Sequence, residues 1–472
     1  MTFQSGVELV FLWYFSGINL VYTLFLFCAA FKIIRRVKEI GEEDTTSILS
    51  SNSLPPILFV IPMYNEAENI LPNLYNLLHI SYRYKEIIAV NDGSTDNTMA
   101  ILQEALGLVE IPKHYTDVLP TQPIRAVYKS KLHPEITVID KERGRKFDAI
   151  NAAVNAVPTP FFVVLDADTF VDSKGFEALV RPILTSPTTI AVGASVRIIN
   201  GCTIDFNRVS TAQFPQEYLP AMQSLEYLRA FLVREGLDAV NGNFIVAGAF
   251  SIFPRDLIIQ VGGFGPSVGE DVEIIVRLHR VMRYNKLPYR IQYLPDPVAW
   301  TVAPDSFAKL GRQRSRWHLG LLESIWVHKS ICFNPRYGGF GFFGFPFWLF
   351  GEGLEPVMET LAWIYVIIVA CLGALNVPFF LLILAVSFGF TALYSIFCLS
   401  IEEFSFRKYP SLKSLTILLL CNLIENIGYR QCTVYWRLRG YYWFIKQFKE
   451  VRLLYQAIDP LVKAARSKLP QK

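Results

Sequence analysis

Two aspartates, Asp166 and Asp168, stand at the end of a strongly apolar run in the segment FFVVLDAD (161–168). Runs of this kind are typical of buried strands, whose interior has no use for carboxylates. If the strand stays extended, both side chains point to the same side, and two like charges so close ionise together only beside a cation. Oxygen ligands favour Mg²⁺ or Mn²⁺, so the pair predicts a divalent-cation site. Capping of a helix is the alternative role.

The elements around this pair alternate between strand and helix. Apolar runs predict the strands, and apolar residues three and four apart predict the helices between them. The predicted strands are 57–66, 85–96, 135–141 and 161–168. Such alternation predicts an α/β fold with a mainly parallel sheet, which binds ligands beyond the carboxyl ends of its strands. Asn65, Asp92 and the aspartate pair stand at those ends, so we expect them at one edge of the sheet.

Several classes of protein are excluded by what the sequence lacks. No GxGxxG follows the first strand and no GxxxxGK[ST] occurs, which removes the main support for dinucleotide oxidoreductases and P-loop ATPases. A glycosidase needs two carboxyl groups roughly 5–10 Å apart, whereas adjacent carboxylates suit a metal better. The net charge of +4 argues against nucleic acid as a partner, and the seven scattered cysteines show neither zinc nor disulfide spacing.

Apolar segments flank this region and predict membrane helices. The mean hydropathy of +0.32 is high for a soluble protein, and aromatic residues make up 14% of the chain. Residues 7–31 are long enough to cross a hydrocarbon core of about 30 Å, and the basic KIIRRVK after them indicates that the chain enters the cytoplasm. Segments 355–375 and 378–400 predict two further spans. The short segment 415–429 predicts an interfacial or re-entrant helix.

These features divide the chain into five parts. They are a transmembrane anchor (1–34), a linker (35–54), a cytoplasmic α/β domain (55–330), interfacial and transmembrane helices (331–432) and a cytoplasmic basic tail (433–472). Glu352, Glu355 and Glu359 recur at helical spacing just before the second span. Because charge is costly there, we expect them to line a polar channel or bind arginines, unless they form a solvated interfacial face.

The order of five short motifs resembles one enzyme family. IPMYNE, NDGSTD, LDAD, GED and QRSRW follow one another at the approximate spacing of inverting glycosyltransferases of family 2. The chain is most similar to the membrane-embedded processive synthases of cellulose, hyaluronan, chitin and poly-N-acetylglucosamine. The resemblance covers about residues 55–330 by motif. It implies a GT-A nucleotide-sugar-binding domain beside a transmembrane and interfacial helix region.

The resemblance implies a donor site for a UDP-sugar. Asp92 would bind the uracil, Asp166 would contact the ribose or the metal, and Asp168 would bind Mg²⁺ or Mn²⁺. The nucleoside pocket would be formed by Pro62, Tyr64 and Glu66. Lys146 would be the basic residue near the nucleotide, although the family usually has Gly-Lys-Ala where this chain has RKFDA.

The resemblance also implies an acceptor site. The family usually has Thr-Glu-Asp here, and this chain keeps the two acids as Glu270 and Asp271. A carboxylate that takes the proton of the acceptor hydroxyl accelerates the reaction by roughly 10²–10⁴-fold. Asp271 is the candidate base; both acids could also cap the helix that follows. The acceptor contacts would be Gly248, Ala249, Phe250, Gln313, Arg316 and Trp317. The last three share one helix face, where Arg316 would pair with a diphosphate and Trp317 would support the sugar. Interface anchoring and a lipid-headgroup patch are the alternatives for this basic segment.

The leading functional hypothesis is synthesis of a β-linked polysaccharide by a multi-pass enzyme of the cell membrane with a cytoplasmic catalytic domain. The partners would be a UDP-sugar, a growing glycan or lipid acceptor, membrane lipids, and an accessory membrane subunit or a second copy of the chain. The alternative enzyme transfers one sugar to a membrane lipid, either diacylglycerol or polyprenyl phosphate. A catalytically inactive scaffold is the third hypothesis, and the intact acidic motifs argue against it.

Overall fold

A computed structural model describes residues 3–42, 54–113, 116–246, 248–405 and 412–468. The strands are β1 (Ile57–Met63), β2 (Lys85–Asp92), β3 (Leu108–Ile111), β4 (Ile124–Ser130), β5 (Ile136–Lys141), β6 (Phe161–Leu165), β7 (Thr169–Val171), β8 (Thr189–Ile198), β9 (Thr203–Asp205), β10 (Arg208–Thr211), β11 (Phe250–Pro254) and β12 (Arg290–Thr301). Ten of them form one sheet in the order β3-β4-β5-β2-β1-β6-β11-β8-β12-β7, and β9 pairs with β10 beside it.

The centre of the large sheet is parallel. Strands β5, β2, β1 and β6 run in one direction, as do β8 and β12. Strand β11 lies antiparallel between β6 and β8, and the strands β3, β4 and β7 pair antiparallel toward the edges. The predicted α/β class with a mainly parallel sheet is confirmed. The parallel arrangement brings the carboxyl ends of β1, β2 and β6 to one edge.

Helices cover both faces of the sheet. The α-helices of the described residues, including those outside the sheet layers, are α1 (Phe3–Glu42), α2 (Ile70–Leu78), α3 (Thr98–Leu106), α4 (Lys146–Ala156), α5 (Ser173–Thr185), α6 (Tyr218–Asp238), α7 (Arg255–Gln260), α8 (Glu270–Tyr284), α9 (Phe307–Val327), α10 (Glu355–Cys371), α11 (Val377–Leu384), α12 (Phe390–Ser405), α13 (Leu412–Ile424), α14 (Tyr429–Lys446) and α15 (Phe448–Lys468). Alternate residues of β1 pack into the apolar layers on the two faces of the sheet. Phe59 packs toward Phe176 of α5, with ring centroids 5.1 Å apart, whereas Val60 faces the layer that contains α4 and α8.

Two of the described helical segments are long and apolar enough to cross a membrane, Gln4–Val37 and Val377–Ser405. A third crossing would require the π-helical segment Phe340–Gly353 and α10 together, a pair bent by 42°. The predicted span 355–375 reaches membrane length only as part of that pair, because α10 alone has 17 residues. Helix α13 has 13 residues, and its predicted interfacial or re-entrant position stays a prediction.

The structure adds detail at two predicted boundaries, which stay predictions. Helix α1 continues without a break to Glu42 and so includes residues 35–42 of the predicted linker; residues 43–53 lie outside the described part. The described part of the predicted basic tail 433–472 is largely helical and folds back as α14 and α15. Apolar side chains three or four residues apart drive this return, because one face of α15 is buried in the core beneath α8. Those side chains are Val451, Leu454, Ile458, Val462 and Ala465.

The three glutamates before the second predicted span bind arginines of α14. Arg430 lies 2.8 Å from Glu359 and 3.2 Å from Glu355, and Arg437 lies 2.5 Å from Glu355 and 3.5 Å from Glu352. Pairing offsets the cost of placing charge beside apolar segments. Of the alternatives for these glutamates, arginine binding is therefore confirmed.

Candidate functional site

The aspartate pair lies in a turn at the carboxyl edge of the sheet. Strand β6 ends at Leu165, and the Thr169 N–H donates to the carbonyl of Asp166 at 3.1 Å, which closes the turn. The premise of an extended strand through both aspartates is therefore wrong. The Asp168 carboxylate accepts hydrogen bonds from the hydroxyls of Thr169 and Thr301, each at 3.3 Å. Asp168 is thus fixed from two sides, whereas Asp166 reaches toward α4.

Lys146, the first residue of α4, joins the aspartate turn to the second acidic pair. Its Nζ lies 2.6 Å from Asp166 Oδ1 and 3.3 Å from Glu270 Oε1. Burial lowers the pKa of Lys146, but the charges of Asp166, Glu270 and Asp271 raise it by more. The lysine is therefore held positive between two groups of acids that are far apart in sequence.

One lysine does not balance the acids around it. Burial raises the pKa of Asp168 to about 7, and the charges of Asp166 and Glu66 add to the rise. Burial also raises the pKa of Glu270 to about 7, with Lys146 opposing the rise and Asp271 adding to it. Burial is the largest cause of both rises in pKa, and neighbouring carboxylates add to each of them. A cation bound beside these groups would offset that negative charge.

The oxygen chemistry of the turn fits Mg²⁺ or Mn²⁺. Asp166 and Asp168 supply two carboxylates, a number that proteins commonly combine with substrate phosphate oxygens and water around such ions. Among the described residues, no group of three or more His, Cys, Asp or Glu side chains is arranged to hold a metal alone. The remaining ligands would therefore come from substrate and solvent.

Asp271 is held at the start of α8 against a glycine. A Cβ atom added to Gly248 would lie 2.1 Å from Asp271 Oδ2, so only glycine leaves space for this carboxylate. The other oxygen of Asp271 accepts a hydrogen bond from the Val272 N–H at 2.9 Å. Ala249 contacts the site through its carbonyl, which accepts from the Asp166 N–H at 3.3 Å. The predicted acceptor contact of Phe250 is wrong for its side chain, which is fully buried in the core because β11 pairs with β6.

Asp92 anchors the loop that precedes α4. Its carboxylate accepts from the fully buried ammonium of Lys141 at 3.0 Å and from the N–H groups of Gly144 and Arg145, each at 2.7 Å. The side chain is 4% exposed. The structure thus gives Asp92 a positioning role, and its predicted contact with uracil stays a prediction.

The other predicted nucleoside residues lie along the same edge. Pro62 is half-buried in β1, and the guanidinium of Arg143 lies 4.0 Å from the ring centroid of Tyr64 and donates to its hydroxyl at 3.0 Å. Glu66 accepts from Asn69 Nδ2 at 2.9 Å; burial raises its pKa, with Asn69 opposing the rise and Asp166 adding to it. Pro62, Tyr64 and Glu66 are each partly exposed at this edge, and their predicted contact with the nucleoside stays a prediction.

Arg145 has an unusual backbone conformation. Its φ of 75° and ψ of 172° fall in a region that is essentially confined to glycine, where another residue costs about 1–3 kcal/mol. The hydrogen bond from its N–H to Asp92 keeps it there. The sequence contained a signal for this residue, since RGRK concentrates three cations at one strand end, but nothing in it indicated the strain.

Helix α9 contacts the three residues that precede the acidic pair. Glu323 accepts from the Ser267 hydroxyl and the Val268 N–H, both at 2.8 Å. One residue further along, a Cβ atom added to Gly269 would lie 3.0 Å from the Cα of Gly320. These contacts fix the start of α8 against α9. Sequence reasoning missed Glu323, because no motif marks it.

The three predicted residues of α9 lie on its accessible side. Trp317 is 44% exposed and Arg316 is exposed, whereas Gln313 is half-buried. Arg314, which was not predicted, pairs with Glu226 of α6 and places its guanidinium 4.4 Å from the centroid of the Trp317 ring. The cation holds the indole in a fixed orientation, and the centroid of the Tyr227 ring lies 6.4 Å from that of Trp317.

Two family models match the chain. Residues 58–116 match the glycosyl transferase family 2 model, and residues 123–320 match the model described as glycosyltransferase like family 2. Poly-beta-1,6-N-acetyl-D-glucosamine synthase of Staphylococcus aureus is 26% identical over 275 residues, 58% of this chain and 56% of that synthase. The Staphylococcus epidermidis synthase of the same name is 25% identical over 277 residues, 57% of this chain and 56% of its own. The match thus spans about half the length of these relatives.

A solved structure also resembles the chain. It is a mannosyltransferase from Pyrobaculum calidifontis in complex with GDP-Man and Mn²⁺, with a TM-score of 0.48 and 19% sequence identity. The superposition covers 88% of this chain and 99% of the mannosyltransferase.

Proposed function

Because the segment 58–320 belongs to glycosyltransferase family 2, we propose that the protein is an inverting, metal-dependent transferase that uses a UDP-sugar. The acceptor is a hydroxyl group at the cytoplasmic face of the membrane. Repeated transfer builds a β-linked polysaccharide, which is exported through the membrane helices. The curated synthases that resemble the chain are polymer-forming enzymes by name, which supports this choice.

The observation that carries the proposal is the position of Lys146 between Asp166 and Glu270. It brings the two acidic motifs into one site, although they lie on different elements. One group of acids can thus serve the donor while the other serves the acceptor. A site of that kind holds both substrates of a transfer reaction at once.

Asp271 is the base in the proposed reaction. Its carboxylate takes the proton of the acceptor hydroxyl as the oxygen attacks the anomeric carbon, and the nucleoside diphosphate leaves from the opposite face. Lys146 and Arg316 counter the negative charge of the leaving group, which needs no proton from an acid. A bound divalent cation, held by Asp166 and Asp168, would supply further charge neutralisation there.

The position of α9 supports a long acceptor. Trp317 offers an apolar ring of the kind that stacks on a sugar, three residues before Gly320, which contacts Gly269 just ahead of α8. The helix is braced by α14, because the Ser315 hydroxyl donates to the Trp436 carbonyl at 2.8 Å. Arginines of the same α14 bind Glu355 and Glu359 of α10. The proposed acceptor platform is therefore structurally connected to the membrane region.

Purified protein supplied with a panel of labelled UDP-sugars and Mn²⁺ tests the proposal. We expect one UDP-sugar to give a ladder of long products, and Asp271→Asn to lower the rate by about 10²–10⁴-fold. Asp256→Asn is the matched control, because its side chain is 84% exposed and lies outside the site. If the product were a single sugar added to diacylglycerol or polyprenyl phosphate, the protein would be a non-processive lipid glycosyltransferase and not a polysaccharide synthase. Full activity of Asp271→Asn would refute the assigned base.

A further inference from the structure

Arg145 is the one basic residue of the site whose backbone is confined to a conformation that other side chains avoid. Its φ of 75° and ψ of 172° belong to the glycine region of backbone space. Asp92 holds the residue there by accepting from its N–H at 2.7 Å, and the buried Lys141 fixes Asp92 in turn. A strained position held by its surroundings is typical of functional sites. Replacing Arg145 by glycine would therefore remove the side chain while keeping the backbone conformation.

The guanidinium of Arg145 is available to a ligand. The residue is exposed, and within the described ranges its side chain forms neither a hydrogen bond nor an ion pair. Burial raises the pKa of Glu323, while hydrogen bonds from Val268 and Ser267 and the charge of Arg145 oppose the rise. Arg145 is therefore close enough to Glu323 of α9 for the two charges to interact.

The charge of the surroundings identifies the class of ligand. Lys146, next in sequence, is already engaged by Asp166 and Glu270, so its charge is largely used within the protein. A nucleoside diphosphate that enters this acid-rich edge needs additional cations. An arginine fork matches two phosphate oxygens at once, which a lysine cannot do.

On the basis of the proposed function, we propose that Arg145 binds the diphosphate of the sugar-nucleotide donor and of the nucleoside diphosphate product. The loop conformation is maintained by Asp92 so that this guanidinium faces the phosphates. Arg145 is therefore a binding residue that adds to the charge of Lys146. Because the arginine contacts the diphosphate, the binding energy of the nucleoside is the same whether or not the Arg145 side chain is present.

Replacement of Arg145 by glycine tests the inference without endangering the fold, because glycine relieves the backbone strain. We expect Arg145→Gly to weaken UDP binding by about 10- to 100-fold in calorimetry with Mn²⁺, and to leave uridine binding unchanged. Its apparent melting temperature should equal or exceed that of the wild type. Arg145→Lys should bind UDP with intermediate affinity.

Lys286→Gly is the matched control, since Lys286 is another exposed basic residue with positive φ, at 55°, and lies after α8, away from the site. It should bind UDP like the wild type. Equal UDP affinity of Arg145→Gly and the wild type would overturn the inference and leave the proposed function intact. If the wild type bound neither UDP nor GDP, the proposed function would fail and this inference with it.

Discussion

Gly248 and Asp271 are in direct contact, and a methyl group on Gly248 would lie 2.1 Å from Asp271 Oδ2. The carboxylate must move or rotate to accommodate any larger residue. Because Gly248 has an ordinary backbone conformation, alanine there displaces Asp271 without straining the chain. The glycine therefore acts on the reaction by leaving space for the base.

Gly248→Ala should lower kcat by about 10²-fold, the typical effect of a misplacement of about 1 Å at a reacting group. The affinity for UDP should change little, since the contact is on the acceptor side. Initial rates of sugar transfer and calorimetry with UDP measure the two effects. Gly339→Ala, which would meet no heavy atom within 4 Å, is the control. A wild-type rate in Gly248→Ala would show that Asp271 need not occupy this position.

Removal of divalent cations should abolish transfer. Burial and the charges of Asp166 and Glu66 raise the pKa of Asp168, and a cation beside Asp166 and Asp168 would stabilise both carboxylates. We expect EDTA to stop product formation, excess Mn²⁺ or Mg²⁺ to restore it, and Asp168→Asn to weaken the response to Mn²⁺. Titration of activity against Mn²⁺ measures this, with Asp256→Asn as the control. Full activity in metal-free buffer would contradict the assigned role of the pair.

Trp317 should matter more for elongation than for donor turnover. Trp317 is 44% exposed and its ring is held by Arg314, and the proposed function assigns this exposed surface to the acceptor sugar and not to the nucleotide. Trp317→Ala should shorten the products and slow elongation about 10-fold, a loss in the range of aromatic contacts. Hydrolysis of the UDP-sugar to UDP should change much less. Trp13→Ala, 76% exposed on α1, is the control, and equal loss of elongation and hydrolysis would count against a platform.

Strands β1, β2, β5 and β6 and the location of the predicted site could be predicted from the sequence for a simple physical reason. Apolar runs such as 57–61 and 161–165 are interrupted by polar residues at their carboxyl ends, and parallel strands place those ends together. Asp92 and the pair Asp166/Asp168 were placed at the correct edge on that basis alone. The antiparallel edge strands β3 and β4 were missed, because their exposed sides dilute the apolar signal.

Contacts between distant segments could not be predicted. No local sequence pattern indicates that Lys146 binds Glu270, that Lys141 forms an ion pair with Asp92, or that Gly269 contacts Gly320. Each contact depends on how distant segments pack together. The return of α15 was different. Its apolar residues recur every three or four positions, so the helical pattern was present but was outweighed by the basic composition of the segment.

The ion pair of Glu273 and Arg277 should make stability depend on pH. Both side chains are fully buried, Arg277 Nε lies 2.9 Å from Glu273 Oε1, and the same arginine donates to the carbonyls of Val261 and Gly263 at 2.9 and 2.8 Å. Burial alone would raise the pKa of Glu273, but the charge of Arg277 and the hydrogen bonds from His328 and Arg277 lower it to about 2. The pair thus fixes α8 to the segment that precedes the acidic motif.

Because the pKa of Glu273 is lower in the folded state than its usual value of 4.5, its stabilising contribution is complete above about pH 4.5 and is lost as the pH falls toward 2. Glu273→Gln leaves Arg277 without a counter-charge and should destabilise the protein at pH 7 by about 3–5 kcal/mol. The difference in apparent melting temperature between wild type and variant should be large at pH 7 and smaller at pH 3.5. Glu450→Gln, at an exposed position of α15, should melt like the wild type at both pH values. A difference that stayed constant or grew in acid would show that Glu273 is not ionised in the folded protein.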